Sequence, residues 1–324
     1  MSRMSARPLN ALLAGYSYLL SSMTGRPAAF GLPPAIGVEL TNHCNLACPE
    51  CTTGSGKMKR MKGFMDLSLF DKLISELKNS IYYVTLNFQG ESTMHPKFFS
   101  FLIKSRRLKT VLSTNGHFLT PEYAEKIVRS GLNKLIVSLD GMEQETYSEY
   151  RRGGDLKTVL EGIRNVHDAN RRAGRPLRLE IQFLVSRINE HQIESVKHFA
   201  SEMKAAFRLK SMQIINAGNM RKWIPSEQDH SRYEEEPGGY RIKNRFPDRC
   251  ARLWLNPVVT WDGKVLPCCF DKDADHVLGD LYEDTFRDIW NGPKYTIFRK
   301  SLLAGRYMTD ICRNCTSGMR KVVI

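Results

Sequence analysis

The sequence lacks a hydrophobic run long enough to span a bilayer. The longest apolar stretch near its start covers residues 11–20, whereas a transmembrane helix needs about 20 consecutive apolar residues. Low-complexity tracts and obvious internal repeats are also absent. We therefore expect a globular chain, and 324 residues are enough for one barrel-type domain with an appended module.

Acidic residues are too few to balance the basic ones, since 34 Asp and Glu face 48 Lys and Arg and leave a net charge of +14. Such a charge can indicate binding to nucleic acid, to an acidic peptide or to a phosphorylated substrate, or it can only increase solubility. The basic residues are scattered without interleaved aromatic residues, and no recognisable nucleic-acid-binding module accompanies them. A solvated basic surface is the favoured interpretation, and nucleic acid is not expected as a partner.

The eight cysteines fall into two groups along the chain. The first group is Cys44, Cys48 and Cys51, and the second is Cys250, Cys268, Cys269, Cys312 and Cys315. Clusters of this kind in a long chain favour metal binding in a reducing compartment over a disulfide framework.

The first group has the spacing C-x3-C-x2-C and follows an apolar run at 35–40. A structural zinc ion or a cubane iron–sulfur cluster normally takes four thiolates. Three thiolates can hold three irons of a cubane and leave the fourth iron open to a small molecule. A three-cysteine zinc site and a set of unrelated thiols are the alternatives.

This spacing resembles the signature of the radical S-adenosylmethionine (SAM) enzymes, and the resemblance covers residues 36–324. In that family SAM chelates the open iron of a [4Fe-4S] cluster. Electron transfer then cleaves SAM to methionine and a 5′-deoxyadenosyl radical. The resemblance implies that Cys44, Cys48 and Cys51 are metal ligands and that SAM is a cofactor.

Extended apolar runs alternate with helical patterns from about residue 36. The spacing predicts strands at 36–40, 82–88, 110–113, 134–139, 178–185 and 211–215, and helices at 67–79, 97–107, 121–130, 156–172 and 193–207. Alternation of this kind indicates an α/β protein with parallel βα units. Six units fit a partial (β/α)6 barrel, the fold that the resemblance also implies, and functional groups of such barrels gather at the C-terminal ends of the strands.

Polar motifs follow three of these predicted strands. In Gln-Gly90-Glu91-Ser the glycine allows a close backbone approach and the carboxylate can accept hydrogen bonds from an ammonium group. The motif resembles the family loop that holds the amino group of SAM, which makes Gly90 and Glu91 candidate cofactor-binding residues. Ser113, Asn115 and Ser138 lie at the next two strand ends and match family contacts to the ribose or the carboxylate of SAM.

Arg151 resembles the family arginine that pairs with the SAM carboxylate, a role that suits a guanidinium fork. A solvated arginine is the alternative. The loop 185–189 resembles one that faces the adenine and the substrate. In this family the residue before the last cysteine is usually aromatic and packs beside the adenine, but here it is Glu50. The adenine pocket is therefore expected to depart from the family pattern, while the cluster assignment stands.

Residues 218–249 are rich in charge, Pro and Gly and are predicted to be a loop or linker. The run 254–267 after it predicts a β-hairpin around Asp262-Gly263, a strong tight-turn dipeptide. Four thiolates bracket this hairpin, enough to close a second cubane, from Cys250, Cys268, Cys312 and Cys315. The module resembles the twitch domain, a shortened relative of the SPASM domain, and this implies one auxiliary [4Fe-4S] cluster. A structural zinc ion in the same thiolates is the alternative.

Cys268 and Cys269 are consecutive, and consecutive residues that leave a strand point to opposite sides, so both are not expected to reach one iron. The twitch-like spacing selects Cys268 as the ligand. Cys269 then occupies the position where related sulfatase maturases carry an aspartate proposed as a general base. Cys269 and Asp271 are therefore candidate catalytic bases, although a free cysteine is more commonly a small buried hydrophobe.

The predicted domains are an N-terminal helical extension (1–35), the partial barrel (36–217), the linker (218–249) and the twitch-like domain (250–324). The run 11–20 is predicted to be an amphipathic helix packed against the body, with membrane-surface contact as a minor alternative. It imitates a signal peptide, but an oxygen-sensitive cluster loaded inside the cell would be lost on export. We therefore expect a cytoplasmic protein without a transmembrane segment.

The resemblance implies a radical SAM oxidoreductase that abstracts a substrate hydrogen and, through the auxiliary cluster, oxidises a modest-sized substrate by dehydrogenation or bond formation. An electron donor such as flavodoxin or ferredoxin is expected. The alternative within enzymes is a peptide or protein maturase that makes cross-links, so the substrate is a small molecule or a peptide. A non-catalytic iron–sulfur or zinc scaffold is the alternative from another class, and it would need none of the SAM-loop features.

Overall fold

The structure, a computed structural model, describes residues 6–244 and 247–316. The strands of this described part are, in chain order, β1 (Ala35–Val38), β2 (Tyr83–Thr85), β3 (Lys109–Thr114), β4 (Lys134–Ser138), β5 (Arg178–Val185), β6 (Ala206–Ser211), β7 (Tyr233–Glu236), β8 (Gly239–Ile242), β9 (Val258–Val259), β10 (Lys264–Leu266) and β11 (Gly279–Asp280). The helices are α1 (Arg7–Thr24), α2 (Leu67–Leu77), α3 (Phe98–Lys104), α4 (Pro121–Arg129), α5 (Gln144–Tyr150), α6 (Leu156–Arg172), α7 (Ile193–Glu202), α8 (Met220–Trp223), α9 (Arg252–Leu255), α10 (Phe286–Asn291) and α11 (Pro293–Gly305).

The chain divides into two compact units. Among the described residues the first unit contains 6–42, 59–110 and 247–316, and the second contains 43–58 and 111–244. None of the helices in the described ranges combines the length and the apolar character needed to cross a membrane.

In the first unit β1 pairs in parallel with β2 on one side and with β9 on the other. The antiparallel strands β10 and β11 extend the sheet beyond β9. A buried ion pair fastens the residue after β1 to the loop before α2, because Arg60 donates to both carboxylate oxygens of Glu39 at 2.7 and 2.8 Å. Burial raises the pKa of Glu39, and the hydrogen bonds and charge of Arg60 act in the opposite direction.

In the second unit β3, β4, β5 and β6 form a parallel run in which sequential strands are neighbours. Helices α4, α6 and α7 connect them. The core side chains of β5 are fully buried at Ile181 and Phe183, and α6 begins where the Asp155 side chain accepts from the Thr158 amide at 2.6 Å. Because the strands are parallel, the residues that follow them lie at one edge of the sheet.

The predicted α/β class with parallel βα units is confirmed, but several element boundaries differ, such as those of β2, which covers Tyr83–Thr85 where 82–88 was predicted. Helix α7 ends at Glu202 and β6 begins at Ala206, whereas the spacing predicted a helix to 207 and a strand at 211–215. Lys204 explains the early end, because its positive φ of 50° cannot continue a right-handed helix. In the predicted hairpin, Trp254 belongs to α9, and only the short strands β9 and β10 pair.

The segment 218–249, predicted as a linker, contains α8 and the antiparallel hairpin of β7 and β8. It also contributes to the core of the second unit. Trp223, Ile224 and Tyr233 are at least 96% buried and pack in one apolar cluster with Leu46. Residues 218–244 of this segment are therefore an integral part of the second unit.

Candidate functional site

The first cysteine group lies in a loop of the second unit, which we call the cluster loop (residues 43–58). Cys48 is buried, while Cys44 and Cys51 are half-buried and pack against the same apolar cluster. The Cys51 amide donates to the Cys48 carbonyl at 3.2 Å, and the Leu46 amide lies 3.5 Å from the Cys44 sulfur. The loop turns tightly, so the three thiols share one short stretch of backbone with an apolar backing.

These residues fit an iron–sulfur cluster, because thiolates are its ordinary protein ligands. Among the described residues no three side chains of His, Cys, Asp or Glu converge on the position of a single metal ion. A cubane does not require that convergence, since each of its thiolates binds a different iron. Burial raises the pKa of the Cys48 thiol, and a positive charge near it acts in the opposite direction.

That positive charge is Arg151, at the C-terminal end of α5. Its Nη1 atom lies 4.0 Å from the Cys48 sulfur, and its Nε atom donates to Asp140 Oδ2 at 2.6 Å. The arginine side chain is only 15% exposed, so it is not a solvated surface residue. Burial alone would lower its pKa, but Asp140 and Cys48 outweigh that effect and raise it. Arg151 is therefore a fixed cation beside the cluster loop.

Asp140 itself is held from two sides. It follows β4, is 1% exposed, and its Oδ1 atom accepts from the Leu184 amide of β5 at 2.8 Å. The Arg151 guanidinium occupies Oδ2. The carboxylate thus fixes the orientation of the guanidinium relative to the strand ends, a function that the sequence motif did not reveal.

The predicted polar residues of β3 and β4 lie at the carboxyl edge of the second unit. Ser138 is the last residue of β4 and is buried, and Ser113 is half-buried near the end of β3. Asn115 is buried and donates from Nδ2 to Asn45 Oδ1 of the cluster loop at 2.7 Å. The Ala47 amide donates to the Arg152 carbonyl at 2.9 Å. The structure therefore brings Asn115 and Arg151 to the cluster loop, Asn115 at Asn45 and Arg151 at Cys48.

Glu50, the departure from the family pattern, is buried and makes a compact set of hydrogen bonds. Its Oε2 atom accepts from the amides of Ile215 and Asn216 at 2.7 and 3.0 Å. Its Oε1 atom accepts from the Asn219 side chain at 2.6 Å. Glu50 therefore clamps the segment that follows β6 onto the cluster loop. In the sequence the only signal for this contact was a glutamate at a position that is usually aromatic in the family, and it did not identify the partners.

Gly90 and Glu91 belong to the first unit and follow β2. Gly90 has a φ of +74°, a conformation that favours glycine over other residues. Glu91 is buried, and its Oε1 atom accepts from the Thr93 hydroxyl at 2.6 Å. The same oxygen lies 3.3 Å from the Thr93 amide, at the start of a short 3-10 turn (Ser92–Met94). The loop therefore has a fixed backbone and a carboxylate of defined orientation.

The second cysteine group lies in the first unit. Cys250, Cys268, Cys312 and Cys315 line one small cavity, and Cys269 does not line it. Burial raises the pKa of the Cys268 thiol well above its ordinary value and that of Cys312 to about 11. Four thiols that line one small cavity are the donor set that a cubane with four protein ligands takes.

Two arginines complete this cavity. Arg306 is 1% exposed and its Nη2 atom lies 3.3 Å from the Cys315 sulfur. Burial acts to lower its pKa, but the neighbouring thiols of Cys250 and Cys315 outweigh that effect and raise it. The pKa of Arg252 is raised, first of all by Cys269, whose sulfur lies 3.2 Å from its Nη1 atom. The cavity therefore suits a group of net negative charge.

The two candidate bases differ in their surroundings. Cys269 is half-buried beside Arg252. Asp271 is fully buried, and its two carboxylate oxygens accept from the amides of Asp275 and His276 at 2.8 and 3.0 Å. Burial raises the pKa of Asp271. These hydrogen bonds fix the conformation of the loop that follows Asp271. Sequence spacing alone does not distinguish a carboxylate with this structural role from a catalytic base.

Comparisons with known proteins agree with this geometry. A family profile described as the radical SAM superfamily matches residues 38–200, and one described as the iron–sulfur cluster-binding SPASM domain matches residues 250–316. The chain is 31% identical over 306 residues to the AdoMet-dependent heme synthase of Methanosarcina barkeri, covering 83% of this chain and 84% of that protein. It is 24% identical over 289 residues to the S-adenosyl-L-methionine-dependent 2-deoxy-scyllo-inosamine dehydrogenase of Niallia circulans, covering 87% and 92%.

Among solved structures, Streptococcus suis SuiB bound to the precursor peptide SuiA superposes with a TM-score of 0.65. The match covers 99% of this chain and 79% of that one at 13% sequence identity, so it shows a shared fold. The two profiles together indicate an enzyme with a [4Fe-4S] cluster, S-adenosylmethionine and an auxiliary iron–sulfur cluster as its cofactors. This chain belongs to the radical SAM superfamily.

Proposed function

We propose that the protein is a radical SAM oxidoreductase that abstracts hydrogen from a modest-sized substrate and completes a net two-electron oxidation through one auxiliary cluster. The observation that carries this proposal is the cavity lined by Cys250, Cys268, Cys312 and Cys315. It offers one set of four thiolates, so the auxiliary cluster has a complete protein shell. A cluster without an open iron suits electron uptake better than substrate binding.

At the reactive centre, the cluster loop supplies the three thiolates of Cys44, Cys48 and Cys51. When bound there, the cluster and SAM supply the electron transfer that yields methionine and a 5′-deoxyadenosyl radical. The protein's contribution is to hold and orient. Arg151, fixed by Asp140, presents a guanidinium fork suited to the SAM carboxylate, and the buried apolar backing of the loop excludes water.

The remaining SAM contacts are assigned by the family resemblance. Glu91 and the backbone at Gly90 would receive the SAM amino group, and Ser113, Asn115 and Ser138 would meet the ribose or carboxylate. The hydrogen bond from Asn115 to the cluster loop supports the assignment of Asn115 as a SAM contact. At the auxiliary centre we keep Cys269 as a candidate base, because the two oxygens of Asp271 already accept loop amides.

Oxidation of a small alcohol is the favoured reaction. The similarity to the 2-deoxy-scyllo-inosamine dehydrogenase extends over 92% of that enzyme, which supports a substrate of similar size. A peptide or protein maturase is the second candidate, supported by the shared fold with peptide-bound SuiB. A scaffold without activity is disfavoured, because buried polar groups such as Arg151 and Asn115 would then have no ligand to orient. We further propose a flavodoxin or ferredoxin as electron donor and a cytoplasmic location.

The substrate class can be tested with protein reconstituted anaerobically with iron and sulfide. It would receive SAM, a strong reductant and 2-deoxy-scyllo-inosamine carrying deuterium on its carbinol carbons. We expect a ketone product and deuterium in the 5′-deoxyadenosine. Formation of unlabelled 5′-deoxyadenosine with this substrate and with a panel of related aminocyclitols would contradict the small-alcohol proposal. Deuterium transfer from a labelled peptide instead would favour the maturase.

A further inference from the structure

Helix α1 buries small and polar side chains and exposes most of its large apolar ones. Pro8 lies in its first turn, and Gly25 ends it in the left-handed conformation with a φ of 68°. The face that packs on the first unit is small and polar, since its buried residues are Ala14, Ser17 and Ser21. The two serine hydroxyls accept from the amides of the following segment at 2.8 and 2.9 Å. The helix is thus fastened by hydrogen bonds and by the ring of Tyr18, which packs against Trp254 at 5.8 Å between ring centroids.

Five other large apolar side chains of α1 are exposed to solvent. The exposed face carries a set of apolar residues that we call the apolar stripe: Leu9, Leu12, Tyr16, Leu19 and Met23. Their exposed fractions run from 55% at Tyr16 to 84% at Met23, and Phe30 continues the stripe by stacking on Tyr16 at 5.8 Å. Single exposed apolar residues are ordinary, but a continuous exposed row marks a surface that contacts something else.

The charged residues near α1 lie at its two ends and are basic. The sequence has no charged residue between Arg7 and Arg26, and no Asp or Glu precedes Glu39. The Arg7 guanidinium donates to the carbonyls of Lys78 and Arg107 at 2.7 and 3.2 Å, which places two further basic residues beside the start of α1. Arg26 is exposed just after the helix end. An uncharged apolar row therefore lies between two positively charged ends.

We propose that α1 binds the surface of an anionic lipid bilayer, with the apolar stripe in the headgroup–acyl boundary and the basic ends against lipid phosphates. This mode needs a helix that lies in the interface and does not cross it. Membrane association of this kind is independent of the reaction proposed above.

A second copy of the chain fits the stripe less well. The 3-4 spacing of the stripe resembles a coiled-coil seam, whose flanking positions normally carry charged residues that set the pairing. Here the flanking positions are Leu13, Gly15, Leu20 and Ser22, none of which is charged. A stable dimer also buries about 800 Å² per partner, more than one row of five side chains on a single helix provides. A lipid surface requires neither charged flanking residues nor an interface of that area.

Vesicle flotation with the reconstituted full-length protein tests the proposal. We expect binding to vesicles that contain phosphatidylglycerol, weaker binding to pure phosphatidylcholine vesicles, and partial release by salt. The double variant Leu12→Ser/Leu19→Ser should lose at least about tenfold in apparent affinity. The control Tyr282→Ser/Ile297→Ser removes two apolar side chains of similar exposure elsewhere and should bind like wild type. Circular dichroism checks that both variants fold.

Three results would overturn the inference. The first is wild-type protein that stays with neither kind of vesicle at low ionic strength, and the second is a stripe variant that floats as well as wild type. The third is a dimer in sedimentation velocity that the stripe substitutions dissociate without any vesicle binding, which would assign the stripe to a second copy. Because none of these readouts uses SAM cleavage, failure here leaves the proposed reaction untouched, and failure of the reaction leaves this surface untouched.

Discussion

Removal of the Glu50 carboxylate should free the segment after β6. Glu50 accepts two backbone amides and one side-chain amide at 2.6–3.0 Å in a buried position. Hydrogen bonds to a charged group contribute about 1.5–3 kcal/mol each, and unsatisfied buried donors add to the cost. Because neighbouring contributions do not add, we expect Glu50→Ala to cost about 3–5 kcal/mol locally.

Hydrogen exchange reports this local cost directly. Exchange of the Ile215 and Asn216 amides should accelerate by at least about 100-fold in Glu50→Ala, since 1.4 kcal/mol corresponds to a factor of ten. Glu50→Gln keeps the size but replaces one acceptor by a donor, so an intermediate acceleration of about tenfold is expected. The matched control is Glu194→Ala, an 80% exposed glutamate of the same unit, which should leave these amides unchanged. Wild-type exchange rates at both amides in Glu50→Ala would refute the clamp.

Three further predictions concern the two metal centres. Arg151→Lys keeps the charge and loses the fork, so SAM affinity should fall by about 1.5–3 kcal/mol while iron content stays at the wild-type level; unchanged affinity would leave Arg151 with only its pairing to Asp140. Cys268→Ala should lose the auxiliary cluster and its electron paramagnetic resonance signal, whereas Cys269→Ala should keep both, and the reverse outcome would exchange the two assignments. Arg306→Gln should lower the reduction potential of the auxiliary cluster by tens of millivolts, since it removes a buried positive charge beside a sulfur ligand; an unchanged potential in spectroelectrochemical titration would contradict this.

The regular parts of the barrel region were predictable because their patterns are local. The span of α6 (Leu156–Arg172) and that of β5 (Arg178–Val185) agree with the prediction to the residue. Apolar spacing and capping residues determine such elements over a few turns. The boundary between α7 and β6 was misplaced because apolar residues continue past Lys204, and only the left-handed backbone there separates helix from strand.

The parts of the site that belong to a short motif could be predicted from the sequence. Contacts between residues that are distant in the chain could not be predicted. Cysteine spacing is contained in eight residues, so it could be read directly. The contacts of Glu50 lie 165 to 169 residues away, and they extend from the end of the predicted strand at 211–215 into the start of the predicted linker at 218–249. Charge and glycine content describe how a segment meets water, and they do not reveal that Trp223 and Tyr233 pack behind the cluster loop.

The most direct test of the central claim is the amount of 5′-deoxyadenosine that the reconstituted protein forms from SAM under a strong reductant. Wild-type protein should form it slowly even without substrate. A variant with Cys44, Cys48 and Cys51 all replaced by Ala should form none, yet keep about half of the wild-type iron in its auxiliary centre. Continued SAM cleavage by the triple variant would contradict the assignment of the cluster loop as the reactive centre.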